Sequence, residues 1–291
     1  MRFFLLLLLL VSAPALGAEA NDYAKPDMVI NGSGLSNLLH SDAPLVVLDV
    51  RPRAAYDEWH VPSARWIDIR VWKAAFGKPG AYGADAEAWS ERIGQLGIDS
   101  DTTVVVYDKF TSPTAARAWW LLRYWGVSDV RILNGGDVIY RRIGTGVSEE
   151  RAKGRPPTEF QAVAHPERLA TSLEVLSEVS ARSRVVACLI DTRSAKEFED
   201  GAIPSASHSD WAAYVDAKTG RLKPPAELRR LLKLAGMSSP GSDPKQGIIT
   251  YCRSGGRAAL VAFVAELVGG EPAANYWGSW TAWQARESPT R

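Results

Sequence analysis

Short β-branched and apolar runs alternate along this chain with stretches of helical spacing, and the alternation occurs twice. In the first half, 45–50, 103–107 and 130–133 read as strands, and 33–39, 84–96 and 113–125 as helices. In the second half, 185–190, 247–251 and 274–276 read as strands, and about 172–181, 225–234 and 257–268 as helices. Such alternation predicts an α/β fold: two tandem domains, each a parallel sheet flanked by helices on both faces. Between the halves, 144–157 is rich in Gly, Pro and alternating charge, lacks apolar periodicity, and reads as a linker. The expected organisation is therefore a leader at 1–20, a first domain at 21–143, the linker, and a second domain at 158–291.

The two halves repeat each other in sequence as well as in pattern. Leu48-Asp49-Val50-Arg51, Tyr56 and Pro62-Ser63-Ala64 recur as Ile190-Asp191-Thr192-Arg193, Phe198 and Pro204-Ser205-Ala206, at a constant offset of 142 residues. Farther on, Val105-Val106-Tyr107-Asp108 matches Ile249-Thr250-Tyr251-Cys252 at an offset of 144. A period this long means duplicated domains rather than a solenoid. It also separates them chemically, because Asp108 stands where the second copy carries Cys252. A carboxylate there cannot act as a sulfur nucleophile, so the first domain reads as catalytically silent.

Cys252 has the richest surroundings. The run Ile248-Ile249-Thr250-Tyr251 ends on it, and Arg253-Ser254-Gly255-Gly256-Arg257-Ala258 leads into an apolar helix-forming stretch. A thiol between a strand's C-terminal end and a helix N-terminus meets unpaired amides and the positive end of the helix dipole. Arg253 and Arg257 add two cations, and all these effects favour the nucleophilic thiolate. Gly255 and Gly256 let successive amides turn inward as a nest for negative charge. Asp191 and Arg193 close a neighbouring strand, and ligands bind at the carboxyl ends of parallel strands.

Bulk properties narrow the possibilities. The length of 291 residues suits two domains, each able to bury its own core. A net charge of +1 offers no bulk attraction to nucleic acid or an anionic membrane, so anion preference must come from local arginines. Trp119, Trp120 and Trp125 lie in apolar contexts and read as core. Met1-Arg2, an apolar run over 3–11 and the small residues Ala15-Leu16-Gly17-Ala18-Glu19-Ala20 have the three-part form of a secretory leader, cleaved after Gly17 or Ala20. The run is too short to span a bilayer comfortably, so a periplasmic or secreted protein, free of the membrane after cleavage, is expected. The cysteines are Cys188 and Cys252. Cys188 lies three residues before Asp191 inside its strand, roughly 10 Å from the strand's end. Beyond disulfide reach of Cys252, it reads as a buried apolar residue.

With these residues in place, the chain resembles the tandem-domain rhodaneses, the thiosulfate and 3-mercaptopyruvate sulfurtransferases. The resemblance rests on Asp191-Thr192-Arg193, Ile203-Pro204-Ser205-Ala206, the Cys252 loop and the closing Tyr276-Trp277-Gly278-Ser279-Trp280-Thr281-Ala282-Trp283. In the silent half it rests on Ala115-Ala116-Arg117-Ala118-Trp119-Trp120-Leu121-Leu122-Arg123-Tyr124 and Asn134-Gly135-Gly136. It implies that Cys252 takes the outer sulfur of thiosulfate, releases sulfite, and passes the sulfur from a persulfide to cyanide or a thiol. Arg193, Arg253 and Arg257 would then meet the small anionic donor, Ser254, Gly255, Gly256 and Ala258 would hold the persulfide, and Asp191 would support them. Arg193 keeps an alternative role as the structural ion-pair partner of Asp191, since Arg51 occupies the same place in the silent half. Cys-Arg-Ser-Gly-Gly-Arg-Ala resembles the loop of single-domain rhodaneses more than either tandem pattern. Thiosulfate is favoured by Arg253, with 3-mercaptopyruvate, or a persulfide carrier or redox-sensing module serving a partner protein, as alternatives. No cofactor is implied, and a monomer is expected.

A dual-specificity phosphatase would need five residues between cysteine and arginine, whereas four separate Cys252 from Arg257. His40, His60, His165 and His208 are scattered without zinc-site spacing, so no metal is expected, and His60 and His208 read as turn packing. Gly77-Lys78-Pro79-Gly80 lacks the frame of a phosphate-binding loop.

Overall fold

The structure is a computed structural model describing residues 22–78, 80–150, 154–180, 187–237 and 247–286. The leader expected at 1–20, the strand start at 185–186 and the helix end at 181 lie outside the described residues. In chain order the first domain contains β1 (Val29–Ile30), α1 (Gly32–Leu39), β2 (Leu45–Asp49), α2 (Arg53–Glu58), β3 (Arg65–Trp66) and α3 (Ile69–Ala75). It continues with α4 (Ala86–Gly94), β4 (Thr103–Tyr107), α5 (Pro113–Tyr124), β5 (Val130–Leu133) and α6 (Gly136–Arg142). The second contains α7 (Ser172–Ser180), β6 (Ala187–Asp191), α8 (Ala195–Glu199), β7 (Ser207–His208) and α9 (Pro225–Leu234). It closes with β8 (Gly247–Tyr251), α10 (Gly256–Leu267), β9 (Ala274–Asn275) and α11 (Ser279–Gln284).

The sheets run β1-β5-β4-β2-β3 and β7-β6-β8-β9, with every pairing parallel. The long buried strands match the sequence reading. The two-residue strands β1, β3 and β7 and the short helices α2, α3, α6, α8 and α11 were not anticipated, because so few residues cannot display a period. Internal symmetry extends to the backbone: Ser63 and Ser205, in the repeated Pro-Ser-Ala turns, both sit left-handed at φ 62° and 65°. Both are exposed. A side chain in that region costs about 1–2 kcal/mol, partly offset in glycine by the greater freedom of its unfolded chain. Ser205→Gly should therefore stabilise by about 0.5–1 kcal/mol, raising Tm by roughly 2 °C. A fall in Tm by differential scanning calorimetry would show that the serine itself anchors the turn.

Described residues on either side of 151–153 in the linker segment are held on the first domain: Ser148 exchanges backbone hydrogen bonds with His60, at 2.8 and 2.9 Å, and Arg155 pairs with Asp99 at 3.2 Å. Each domain buries a cluster of its own, around Val47, Val105 and Tyr107 in the first and around Leu189, Tyr251 and Trp283 in the second, and a larger cluster is shared between them. Helices α5 and α10 pack against each other, and one apolar cluster runs from Trp119, Trp120 and Trp125 through to Phe263 and Trp277. Every residue of α10 except Arg257 is buried. A helix apolar on all sides needs cover on all sides, and the second sheet supplies only one. The domains are also tied by Lys25 N–H to the Leu267 carbonyl at 3.1 Å and by Leu222 N–H to Asn134 Oδ1 at 2.8 Å.

Candidate active site

Parallel pairing puts Asp191 opposite Tyr251, so Asp191, Arg193 and Cys252 gather at one sheet edge. Buried Arg193 donates to both Asp191 carboxylate oxygens at 2.6–3.0 Å and to the Gly201 carbonyl at 2.6 Å, with its guanidinium 4.5 Å over Trp280. Arg51 grips Asp49 and the Trp59 carbonyl in the same way, and Tyr107 and Tyr251 donate to the paired aspartates. Burial is the main force pushing Tyr251 well up, with the Asp191 charge adding to it, so it remains a neutral hydrogen-bond donor. Arg193 is thus paired with Asp191 as Arg51 is with Asp49. In the first domain Arg51 Nη1 also pairs with Asp137 at 2.6 Å, whereas Arg193 Nη1 has no hydrogen-bond acceptor among the described residues.

The turn from β8 into α10 builds the sulfur site. Gly255 N–H points at Cys252 Sγ, 3.1 Å away. The amides of Gly256, Arg257 and Ala258 follow as first-turn donors without intrahelical acceptors. What aims them is visible in the loop's carbonyls, each drawn outward by a different group. Trp280 N–H takes the Cys252 carbonyl at 3.0 Å, and Thr281 takes that of Arg253 through N–H and Oγ1 at 3.2 and 2.9 Å. Arg117 Nη2 takes that of Ser254 at 2.8 Å, and Asn275 Nδ2 that of Gly255 at 2.9 Å. With carbonyls held out, the amides face in, as an anion nest requires. Gly255 sits at φ 86°, where a Cβ would meet the Trp277 carbonyl at 3.0 Å, so only glycine closes this turn. Ser279, itself left-handed at φ 52°, accepts from Cys252 N–H at 3.2 Å.

The two loop arginines differ. Arg257 forms a double contact with Glu197 at 2.5 and 2.8 Å, and the Cys252 sulfur shares in its charge. That contact holds the Glu197 carboxyl down at about 2. The folded value is depressed, so the pair's contribution is full above the ordinary carboxylate range and fades only as pH falls toward 2. Arg253 is exposed at the rim. Cys252 is 2% exposed, which leaves room at the sulfur only for the tip of a small donor.

In the first domain the equivalent nest is filled by its own side chain. Asp108 accepts from Lys109 N–H at 2.7 Å and from Ser112 Oγ at 2.6 Å, and burial raises its carboxyl. His60 and His208 pack at turns, stacked on Tyr56 and Phe198. Cys188 is free and buried, donating to the Ala235 carbonyl at 3.2 Å. Asn275, Ser279, Thr281, Glu197 and Arg117 were not singled out in the sequence. Only Ser279 and Thr281, in the closing segment, lay within a motif read as belonging to the site's half.

A rhodanese-like domain model matches residues 33–138 and again 172–286. The chain belongs to the rhodanese-like family. Among curated rhodanese relatives, the sulfur carrier protein TtuD of Thermus thermophilus is 30% identical over 281 residues, covering 90% of this chain and 95% of that protein. A thiosulfate sulfurtransferase of Corynebacterium glutamicum is 31% identical over 287 residues, covering 90% and 89%. The mouse thiosulfate sulfurtransferase is 31% identical over 249 residues, covering 81% of each chain. Among solved structures, the 3-mercaptopyruvate sulfurtransferase SseA of Escherichia coli superposes with a TM-score of 0.72 at 25% identity, covering 87% of this chain and 98% of that one.

Proposed function

We propose that this rhodanese is a sulfurtransferase that takes the outer sulfur of thiosulfate onto Cys252. The Cys252 sulfur attacks the outer sulfur, forming a new S–S bond. The thiosulfate S–S bond breaks, and its electron pair leaves with sulfite. Cys252 then carries a persulfide whose terminal sulfur is negative. Cyanide or a thiolate attacks that atom, the persulfide bond breaks, and Cys252 regains its anion as thiocyanate or a new persulfide departs. Two half-reactions through a covalent intermediate imply ping-pong kinetics. The observation that carries this reading is the Gly255 amide set on Cys252 Sγ in a loop whose four carbonyls are anchored outward. Such preorganised donors stabilise the negative sulfur in both half-reactions without reorganising.

The donor is tested by comparing thiosulfate with 3-mercaptopyruvate in steady state. Thiosulfate should give the higher kcat/KM, with parallel double-reciprocal lines against cyanide. A clear preference for 3-mercaptopyruvate would reassign the donor, and turnover with neither would leave persulfide delivery to a protein partner. Arg253→Ala should lower kcat/KM for thiosulfate by only about two- to fivefold, because an exposed charge contact is worth about 0.2–1 kcal/mol. A loss of a hundredfold would show that Arg253 folds inward onto the bound donor.

A further inference from the structure

The first domain, silent as a nucleophile, reaches into the sulfur loop through α5. Arg117 Nη2 donates to the Ser254 carbonyl at 2.8 Å, and its guanidinium lies 5.5 Å over Trp277. It presses so closely on the start of α10 that a Cβ on Gly256 would stand 2.5 Å from Nη2. Its Nε is buried with no hydrogen-bond partner, and among the described residues no carboxylate lies within ion-pair distance of it. An arginine placed this way is unusual, since buried cations are normally matched by an acid. The neighbouring Arg257 shows the usual arrangement, matched by Glu197.

We infer that Arg117 is a positioning residue for sulfur transfer, holding the Ser254 carbonyl away from the sulfur and leaving its own charge to be balanced by the anion on Cys252. The inference rests on the sulfurtransferase reading but concerns a residue of the other domain. Burial pulls the Arg117 guanidinium down, and the charge that offsets this is the Cys252 sulfur. Lys73, on α3, is likewise pulled down by burial and then by Arg117, with the same sulfur opposing. The charged groups facing the sulfur are thus Arg257 from its own helix, with Glu197 behind it, and Arg117 and Lys73 from the first domain, while Arg253 of its own loop is exposed at the rim. A loop tied across a domain boundary explains why the duplicated half is retained beside a site whose nucleophile it lacks.

The decisive readout, alkylation, needs no sulfur donor. Cys252 in the full chain is alkylated with iodoacetamide across pH, in wild type, Arg117→Gln and Arg117→Lys, with Cys252 modification read by peptide mass spectrometry. Removing an adjacent positive charge should move the midpoint of alkylation upward by at least about one pH unit in Arg117→Gln. Arg117→Lys should keep the midpoint near wild type while losing thiosulfate turnover through a less firmly held loop. An Arg117→Gln profile that overlays wild type would overturn the inference, as would equal midpoints in both variants. Should Arg117→Gln fail to fold, Lys73→Gln on the half-buried rim reads the same field. An upward shift there supports a charge contribution from the first domain, and an unmoved midpoint overturns it. Absence of a persulfide in thiosulfate-treated wild type would count against the sulfurtransferase reading and leave the alkylation result intact.

Discussion

Cys252→Ser should abolish thiosulfate turnover, with a loss of about 10⁴-fold or more, while Tm changes little. The substitution replaces one small side chain with another, so the packing against Tyr251 and Ser279 survives. The hydroxyl, however, cannot carry a sulfane sulfur, and loss of a covalent nucleophile is among the largest single effects in enzymes. The chemistry has no substitute on this chain. Burial pushes the Cys188 thiol up to about 11, and it sits against the Ala235 carbonyl inside a strand. Register places Cys188 opposite Ile248, four residues below Cys252 and roughly 13 Å away by strand rise. Peptide mass spectrometry after thiosulfate should show one extra sulfur on the fragment containing Cys252. Finding it on Cys188, or retained turnover in the serine variant, would overturn the mechanism.

The second large effect concerns the duplication. Expressed alone, residues 158–291 should not yield a stable active monomer. Removing the first domain uncovers the side of α10 that packs on α5, including Phe263, which meets Trp119 edge-on at 4.9 Å. It also uncovers Trp277, stacked on Trp120 at 4.9 Å and beside Phe76 at 4.8 Å. At about 1.5–3 kcal/mol for each large apolar side chain, these two alone return roughly 3–6 kcal/mol, a large part of the 5–15 kcal/mol that holds most domains folded. The fragment would also lose the Arg117 contact to Ser254. Size-exclusion chromatography, circular dichroism and thiosulfate turnover of the fragment make the test. A monomer with unchanged KM would show that the second domain builds its site unaided.

Much of this was legible along the chain because the signals are local. Strands β2, β4, β5 and β8 are short runs rich in β-branched and apolar residues, and α5, α9 and α10 keep helical composition over ten or more residues, so their types and most limits could be read directly. The duplication showed through paired motifs, and the left-handed Ser63 and Ser205 turns are its backbone counterpart. Cys252 stood out because a strand, a thiol and a Gly-Gly turn are contiguous in sequence. Short elements such as β3, β7, α8 and α11 stayed hidden, since two to six residues carry no period and are set by the sheet they join.

By itself, then, the sequence determined the two-domain parallel α/β architecture, and it singled out Cys252 as the candidate nucleophile and Asp108 as its counterpart in the first copy. Each of those follows from neighbours within a few positions. Tertiary structure decided how the sulfur loop is held and what each arginine does. Arg193 is committed to Asp191, Arg257 is shared with Glu197, Arg253 is left at the rim, and Arg117 reaches the Ser254 carbonyl from 137 positions away. Guanidinium groups are chemically alike wherever they occur in a sequence. Their roles depend on which carboxylates and carbonyls folding brings within about 3 Å, and for Arg257 and Arg117 those partners come from another element and from the other domain.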